Sequence, residues 1–297
     1  MSGRIVVGYT ATKAGQDAVA LATRLAAASE SELHIVLVLP ADSRSVITPP
    51  DASYDRYINA QAEQWLADAA SKVPEGVAHE EHVRFADSFG EGLLAAADEL
   101  AATHIVVGAA NGSLRGRHRL GTTASELLHT SDVPVVLAPR GARKVAPATG
   151  VTRLTVALGT RPGADALLDE AVALATATGA AVRLLSLVTV DLPASVDTGV
   201  IRIAGAAHAD DVLAKAKAAL PEGIESEVAV GRGESIDHAV AQLDWDPGEL
   251  VLVGSSRLAQ PRRLFLGSTA GKMLRELPVP MIVVPRIRTN DHQEGGQ

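Results

Sequence analysis

Apolar residues along the chain form short continuous runs, separated by longer stretches rich in Ala and Leu. The runs lie near residues 4–9, 32–39, 77–85, 103–108 and 133–138, and again near 153–158, 181–188, 224–230, 249–253 and 279–284. Most are uniformly apolar, which is typical of parallel strands buried on both faces. The third run of each set instead alternates apolar and polar positions, which indicates an edge strand.

The stretches between these runs carry apolar residues at helical spacing, as at Val19, Ala22 and Leu25. Five strands with four intervening helices in each half predict an α/β fold of two tandem doubly wound five-stranded parallel sheets, a Rossmann-like sandwich. Ligands of such sheets bind beyond the carboxyl ends of the strands. The loops after the first and fourth strands are therefore where a site is expected, and the segments 41–53 and 191–205 are predicted to be long loops.

The two halves repeat one another, because three peptides recur in order at a spacing of about 150 residues. They are AVALAT at 18–23 and 171–176, VVGA at 106–109 against LVGS at 252–255, and VPVVLAPR at 133–140 against VPMIVVPR at 279–286. This order indicates a tandem duplication.

The duplication divides the chain into two domains and two connecting segments. The domains are 1–140 and 153–287, the Pro- and Gly-containing segment 141–152 is the linker, and 288–297 is a polar tail. If the last strand of each half is an edge strand, the two domains pair through these strands within one chain, and we expect two chains to associate further.

Composition narrows the function classes. The chain has 297 residues, 47% of them hydrophobic, so each half can bury a core of its own. The absence of cysteine excludes disulfide scaffolds and thiol nucleophiles. A net charge of −8 argues against nucleic acid as partner, and no apolar run approaches the roughly 20 residues that span a membrane. We expect a cytoplasmic protein.

The loop after the fourth strand has the same layout in both halves. A glycine ends the strand, and a second glycine thirteen positions later precedes two hydroxyl residues that open a helix. These residues are Gly108, Gly121, Thr122 and Thr123 in the first half, and Gly254, Gly267, Ser268 and Thr269 in the second. A helix N-terminus with free N–H groups favours phosphate. The alternative is that Thr122 and Ser268 are ordinary N-caps.

This layout resembles the ATP-binding signature of the universal stress protein family, in which a glycine, two residues, a glycine and nine residues precede Gly-Ser/Thr. The resemblance covers nearly the whole chain twice. It implies a five-stranded parallel α/β sandwich in each domain, with the tandem pair arranged like the dimer of single-domain members. It also implies ATP as ligand, with Mg²⁺, and Val38 and Leu187 as the apolar wall of the two sites.

The chain departs from the signature in both halves. The middle glycine is replaced by Asn111, with Gly112 next to it, and in the second half by Arg257. Nucleotide-binding members carry an aspartate after the first strand, where this chain has Thr10 and Gly159. One lost hydrogen bond to a charged group, about 1.5–3 kcal/mol, weakens binding by about ten- to a hundredfold. The first half, with more glycine, is the better nucleotide site.

Three functions stay open at this point. The first is a non-enzymatic stress-response protein with weak ATP binding, and the second is a ligand-free scaffold for an unidentified regulatory protein partner. The third is an ATP-cleaving enzyme, although no catalytic residues are evident in the sequence. The segment GSTAGKM lacks P-loop spacing. His79 and His82 lie three apart in a strand and so point to opposite faces, which predicts no shared metal.

Overall fold

The computed structural model describes residues 3–41, 52–109, 120–159, 164–189, 198–255 and 266–285. The strands of the first half are β1 (Arg4–Gly8), β2 (Glu32–Pro40), β3 (His79–Ala86), β4 (His104–Gly108) and β5 (Val135–Ala138). Those of the second half are β6 (Arg153–Leu158), β7 (Ala181–Thr189), β8 (Ser226–Gly233), β9 (Glu249–Gly254) and β10 (Met281–Val284).

Helices connect these strands in the predicted alternation. The first half contains α1 (Lys13–Ser29), α2 (Ala52–Ala70), α3 (Phe89–Glu99) and α4 (Thr122–Thr130). The second half contains α5 (Ala164–Thr178), α6 (Thr198–Ala219), α7 (Ile236–Ala241) and α8 (Ser268–Glu276). In the part of the chain that the structure describes, no helix combines the length and apolar character needed to cross a bilayer.

All ten described strands belong to one sheet, in the order β3-β2-β1-β4-β5-β10-β9-β6-β7-β8. The strands are parallel within each half, and the halves join where β5 and β10 pair antiparallel, with Val136 opposite Ile282. The prediction that the last strands pair within one chain is therefore confirmed. The prediction that the third strand of each half lies at an edge is confirmed as well, because β3 and β8 end the sheet.

Each face of the sheet carries one apolar layer that runs through both halves. Helices α1, α2, α5 and α6 cover one face, and α3, α4, α7 and α8 cover the other. Successive strand residues alternate between the layers: Ile5 and Val7 face the α1 side, and Val6 faces the α3 side. Because neither layer stops at the junction, the halves share their cores.

Polar contacts also join the halves and fix the linker. Asp17 of α1 is buried and accepts hydrogen bonds from the backbone N–H groups of Gly141 and Arg143, at 2.9 and 3.0 Å. The guanidinium of Arg24, also on α1, donates to the carbonyl of Pro247 in the second half, at 3.0 Å. The linker forms two short 3-10 turns, Ala142–Lys144 and Pro147–Thr149.

One predicted loop is shorter than the sequence indicates. Helix α6 begins at Thr198, so much of the segment 191–205 is helical rather than loop. The apolar residues of this helix are spread around its circumference, and its periodicity is therefore weak in the sequence. Helix α2 begins at Ala52, so the last two positions of the predicted loop 41–53 are helical.

Candidate functional site

At the carboxyl ends of the parallel strands in the first half, a tight turn connects β1 to α1. Thr10 is exposed, and its hydroxyl lies 2.9 Å from that of Thr12. Thr12 is the N-cap of α1, where its hydroxyl accepts from the N–H of Gly15 at 3.3 Å. Thr10 thus stands at the position that the family resemblance assigns to an aspartate, and its hydroxyl already has a hydrogen-bond partner in Thr12.

Two glycines let the start of α1 lie directly across the ends of β1 and β4. A Cβ on Gly108 would lie 2.1 Å from the carbonyl oxygen of Ala14, and one on Gly15 would lie 2.0 Å from that of Thr10. Both distances are far below van der Waals contact, so only glycine fits. The glycine at position 108 is therefore required for packing of the fold, whether or not a ligand binds.

The N-terminus of α4 has no side chain that caps it. Its N-cap is Gly121, so the alternative in which Thr122 caps the helix is wrong. Thr122 is exposed and Thr123 is half-buried, both within the first turn. Because the first N–H groups of a helix have no partner within it, this end offers backbone and hydroxyl donors to an anion.

The second half repeats the helix end but not the close packing around it. Gly267 is the N-cap of α8 without a side-chain hydrogen bond, so Ser268 is not the cap either, and Ser268 and Thr269 are exposed. Among the residues that the structure describes, a Cβ on Gly254 would meet nothing nearer than a Leu167 methyl group at 4.0 Å, and one on Gly159 would meet nothing within 4 Å. The described part of the second site is therefore the more open of the two.

The residues expected to form an apolar wall belong to the α3 and α7 side of the sheet. Val38 is only 8% exposed and packs against Gly92 of α3, where an added Cβ would lie 2.6 Å from a Val38 methyl group. Leu187 is half-buried and packs in the same way against Gly231. Val38 therefore offers little surface to a ligand, and Leu187 offers more.

Three predicted site residues lie outside the described ranges. Asn111, Gly112 and Arg257 are in the segments 110–119 and 256–265, which the structure does not describe.

Tyr9, next to Thr10 at the end of β1, is buried. Burial, together with the nearby Asp68 carboxylate, raises the pKa of the Tyr9 phenol. Tyr9 therefore stays neutral over the physiological range.

The structure brings together a set of residues that the sequence did not group. His34 of β2 lies beside Glu80 and His82 of β3, with one ligand atom from each within 4.8 Å of the others. They lie near the amino ends of their strands, whereas Thr10 and Gly108 lie at the carboxyl ends of the sheet strands. Only the register of β2 against β3 reveals the group.

Two parallel α/β domains joined through their last strands define a tandem protein of the doubly wound, Rossmann-like α/β class. The model of the universal stress protein family matches residues 1–139 and 150–285. Universal stress proteins of Mycobacterium tuberculosis and Mycobacterium bovis are each 30% identical to this chain, over 95% of it and 99% of their own length. The chain belongs to the universal stress protein family.

Solved structures show the same fold. A universal stress protein from Archaeoglobus fulgidus superposes with a TM-score of 0.67 at 19% identity. The match covers 97% of this chain and 100% of the Archaeoglobus fulgidus chain. A structure from Pseudomonas aeruginosa described as a putative universal stress protein gives 0.58 at 16% identity, covering 95% and 92%. The predicted fold class and the resemblance stated for the sequence are both confirmed.

Proposed function

We propose that this chain is a non-enzymatic, cytoplasmic stress-response protein whose first half binds ATP weakly, with Mg²⁺. Nucleotide occupancy, not turnover, then sets its affinity for a regulatory protein partner. Membership of the universal stress protein family is the general support for the stress-response role.

The observation that carries the nucleotide proposal is the N-terminus of α4. Gly121 leaves the first turn without a side-chain cap, and exposed Thr122 adds a hydroxyl beside the free N–H groups. In a parallel α/β sheet this helix end lies at the carboxyl edge, where anionic ligands are bound. Together with Gly108, it gives the first half the parts of a phosphate site.

Weak affinity follows from what surrounds this helix end. A threonine hydroxyl at position 10 replaces the carboxylate that the family signature carries, and it already lies next to the Thr12 hydroxyl. Val38 is buried against Gly92 and leaves little apolar surface for a base. Loss of one charged hydrogen bond takes a micromolar ligand to the high micromolar or millimolar range, about ten- to a hundredfold.

A non-enzymatic role is supported by the groups at the described part of the edge. They are glycines, hydroxyls and backbone N–H groups, at Thr10, Thr12, Gly108, Gly121 and Thr122. Such groups can bind an anion. General acid–base catalysis, however, works best with a group whose pKa lies near the operating pH, and hydroxyls and backbone N–H groups do not have one near neutrality.

A second candidate function is a scaffold without ligand. It is favoured by Gly108, because the contact with Ala14 accounts for a glycine there without any nucleotide. In this case the joined halves present a surface to a partner, and the phosphate loops serve only the fold. The two candidates differ in whether ATP binds.

Incubation of the purified full chain with ATP and Mg²⁺ tests the non-enzymatic claim. We expect no release of phosphate, pyrophosphate or AMP beyond a protein-free control over several hours. The Gly121→Val variant serves as the matched control for contaminating ATPases. Sustained turnover by the wild type that Gly121→Val abolishes would assign the chain to ATP-cleaving enzymes instead.

The proposed homodimer has its own measurement. Light scattering over a range of protein concentrations should show a species of twice the 30.7 kDa chain. A single-chain species at high concentration would exclude the dimer without bearing on the nucleotide site.

A further inference from the structure

We propose that His34, Glu80 and His82 form a binding site for a divalent transition-metal ion, with Zn²⁺ as the best fit. The Nδ1 atom of His34 lies 2.9 Å from Nε2 of His82. The Oε2 atom of Glu80 lies 3.9 Å from the former and 3.7 Å from the latter. Two imidazole nitrogens and one carboxylate oxygen are a common zinc donor set that leaves one position open.

The register of two parallel strands creates this triangle. His34 pairs with Glu80 and Val36 pairs with His82, so all three donors project from the α3 face of the sheet. Donors on a single zinc, with bonds of about 2.0 Å and tetrahedral angles, lie about 3.3 Å apart. Shifts of a few tenths of an ångström bring the triangle to this geometry, and Glu80, the most exposed of the three, can make the largest.

The buried histidine has a ring nitrogen without a hydrogen bond. His34 is 2% exposed, and its Nε2 has no hydrogen-bond partner among the described residues. The Glu32 carboxylate lies 3.5 Å away and is the group placed to accept that N–H. A carboxylate behind a ligating histidine fixes the tautomer, so a proton on Nε2 leaves the Nδ1 lone pair of His34 facing the triangle.

The contact between the two histidines is compatible with metal binding. His34 Nδ1 lies 2.9 Å from His82 Nε2, the distance of a hydrogen bond between the two rings. An ion replaces this hydrogen bond when both facing nitrogens present lone pairs, which for His82 places the ring proton on Nδ1.

In the second half, the guanidinium of an arginine side chain occupies the equivalent place. The strand registers put Arg183 where the first half has His34, Glu227 where it has Glu80 and Ala229 where it has His82. The Arg183 guanidinium is buried and forms an ion pair with Glu249 at 2.5 Å. The ring of Trp245 covers it, 4.9 Å from the ring centroid.

The comparison of the halves indicates what the first half lacks. In the second half the Arg183 guanidinium occupies this point and joins β7 to β6 and β9, through the Thr155 hydroxyl at 2.8 Å and the Glu249 carboxylate. In the first half, two imidazole rings and a carboxylate occupy the same point, and a bound divalent ion would place a cation there. The ion would fasten the edge strand β3 to β2. This inference does not depend on nucleotide binding.

The test is a Zn²⁺ titration of the full chain after EDTA treatment, in competition with a chromophoric chelator. We expect one equivalent to bind and the melting temperature to rise. His82→Asn and Glu80→Gln, which change partly exposed side chains, should each weaken Zn²⁺ binding at least about tenfold. Glu32→Gln, acting behind His34, should weaken it about 10- to 100-fold.

His79→Ala is the matched control, because His79 lies on the same strand but pairs with Leu33 and so faces the α1 side. It should bind Zn²⁺ like the wild type. Stoichiometric binding that survives both His82→Asn and Glu80→Gln would overturn the proposal, as would no binding by the wild type. Circular dichroism of each variant without metal shows that the fold is retained.

Discussion

Glu170 of α5 is completely buried, and its Oε1 lies 3.0 Å from Nε2 of His104, a residue of β4 in the other half. The pair places a polar contact at the interface where α1 and α5 meet, beside a cavity of about 450 Å³ lined by Leu25, Thr103 and Leu174 among others. The halves are thus joined by specific polar contacts as well as by the sheet.

Removal of the Glu170 carboxylate should therefore destabilise the whole chain. We expect Glu170→Ala to lower the free energy of unfolding by about 1–3 kcal/mol, because His104 then loses its buried partner. Glu170→Gln keeps an acceptor at that position and should cost less. Denaturant unfolding measures both, and equal stability of Glu170→Ala and the wild type would contradict the interface.

The junction between β5 and β10 should be among the most protected parts of the sheet. Its residues are buried on both faces, and Val136 and Ile282 have no solvent exposure. Amides of such central strands open only with the whole core. Hydrogen exchange should therefore be as slow in β5 and β10 as in β1, and faster in the edge strands β3 and β8. Fast exchange at the junction would mean that the halves are separate.

Low pH should reduce the stabilisation provided by the turn at Asp246 and Gly248, which is hydrogen-bonded to Thr152 at the end of the linker. The Asp246 carboxylate accepts from the Thr152 hydroxyl at 2.7 Å and from the Gly248 N–H at 2.8 Å. These two hydrogen bonds hold the pKa of Asp246 below its usual value. A carboxyl whose pKa is lower in the folded state stabilises the fold above its unfolded pKa and loses this contribution as the pH falls through the folded pKa.

The variant Asp246→Ala should accordingly melt at a lower temperature than the wild type at pH 7. The difference should begin to shrink as the pH falls below the unfolded pKa of about 3.9, and it should be lost as the pH falls further through the lower pKa of the folded state, where the wild-type carboxyl becomes protonated. Asp132→Ala, at an exposed position, is the control and should change little at either pH. A difference that is constant with pH would assign the effect of Asp246→Ala to packing alone.

Restoring the missing carboxylate should strengthen nucleotide binding in the first half. Thr10→Asp places a charged acceptor at the exposed position that follows β1. We expect ATP to bind about ten- to a hundredfold more tightly to this variant. Gly159→Asp makes the same change in the more open second half and should have a smaller effect. Equal gains in both variants would contradict the assignment of the site to the first half.

The sequence predicts the fold closely because its main signals are local. Continuous apolar runs predict every strand of the sheet within a few residues, and the alternating third runs predict the two edges. Pairing of the last strands is expected on the condition that each is an edge strand of its own half, and β5 and β10 pair in this way. The sequence does not predict the start of α6 at Thr198, because a helix whose apolar residues are spread around its circumference has no clear period.

The candidate sites depend on distances that the sequence does not contain. Only the structure shows that Gly108 is needed by Ala14 and that Val38 is buried against Gly92. Alternation along β3 correctly predicts that His79 and His82 lie on opposite faces. It does not reveal His34, because the partner of His82 is set by the register between two strands that are far apart in the chain.

A calorimetric titration of ATP with Mg²⁺ into the EDTA-treated full chain tests the central claim most directly. The account predicts one weak site, with a dissociation constant in the high micromolar to millimolar range, that Gly121→Val removes and Gly267→Val leaves in place. His82→Asn, at the opposite edge, should not change it. No heat of binding up to millimolar ATP would contradict the account and leave the ligand-free scaffold as the function of this chain.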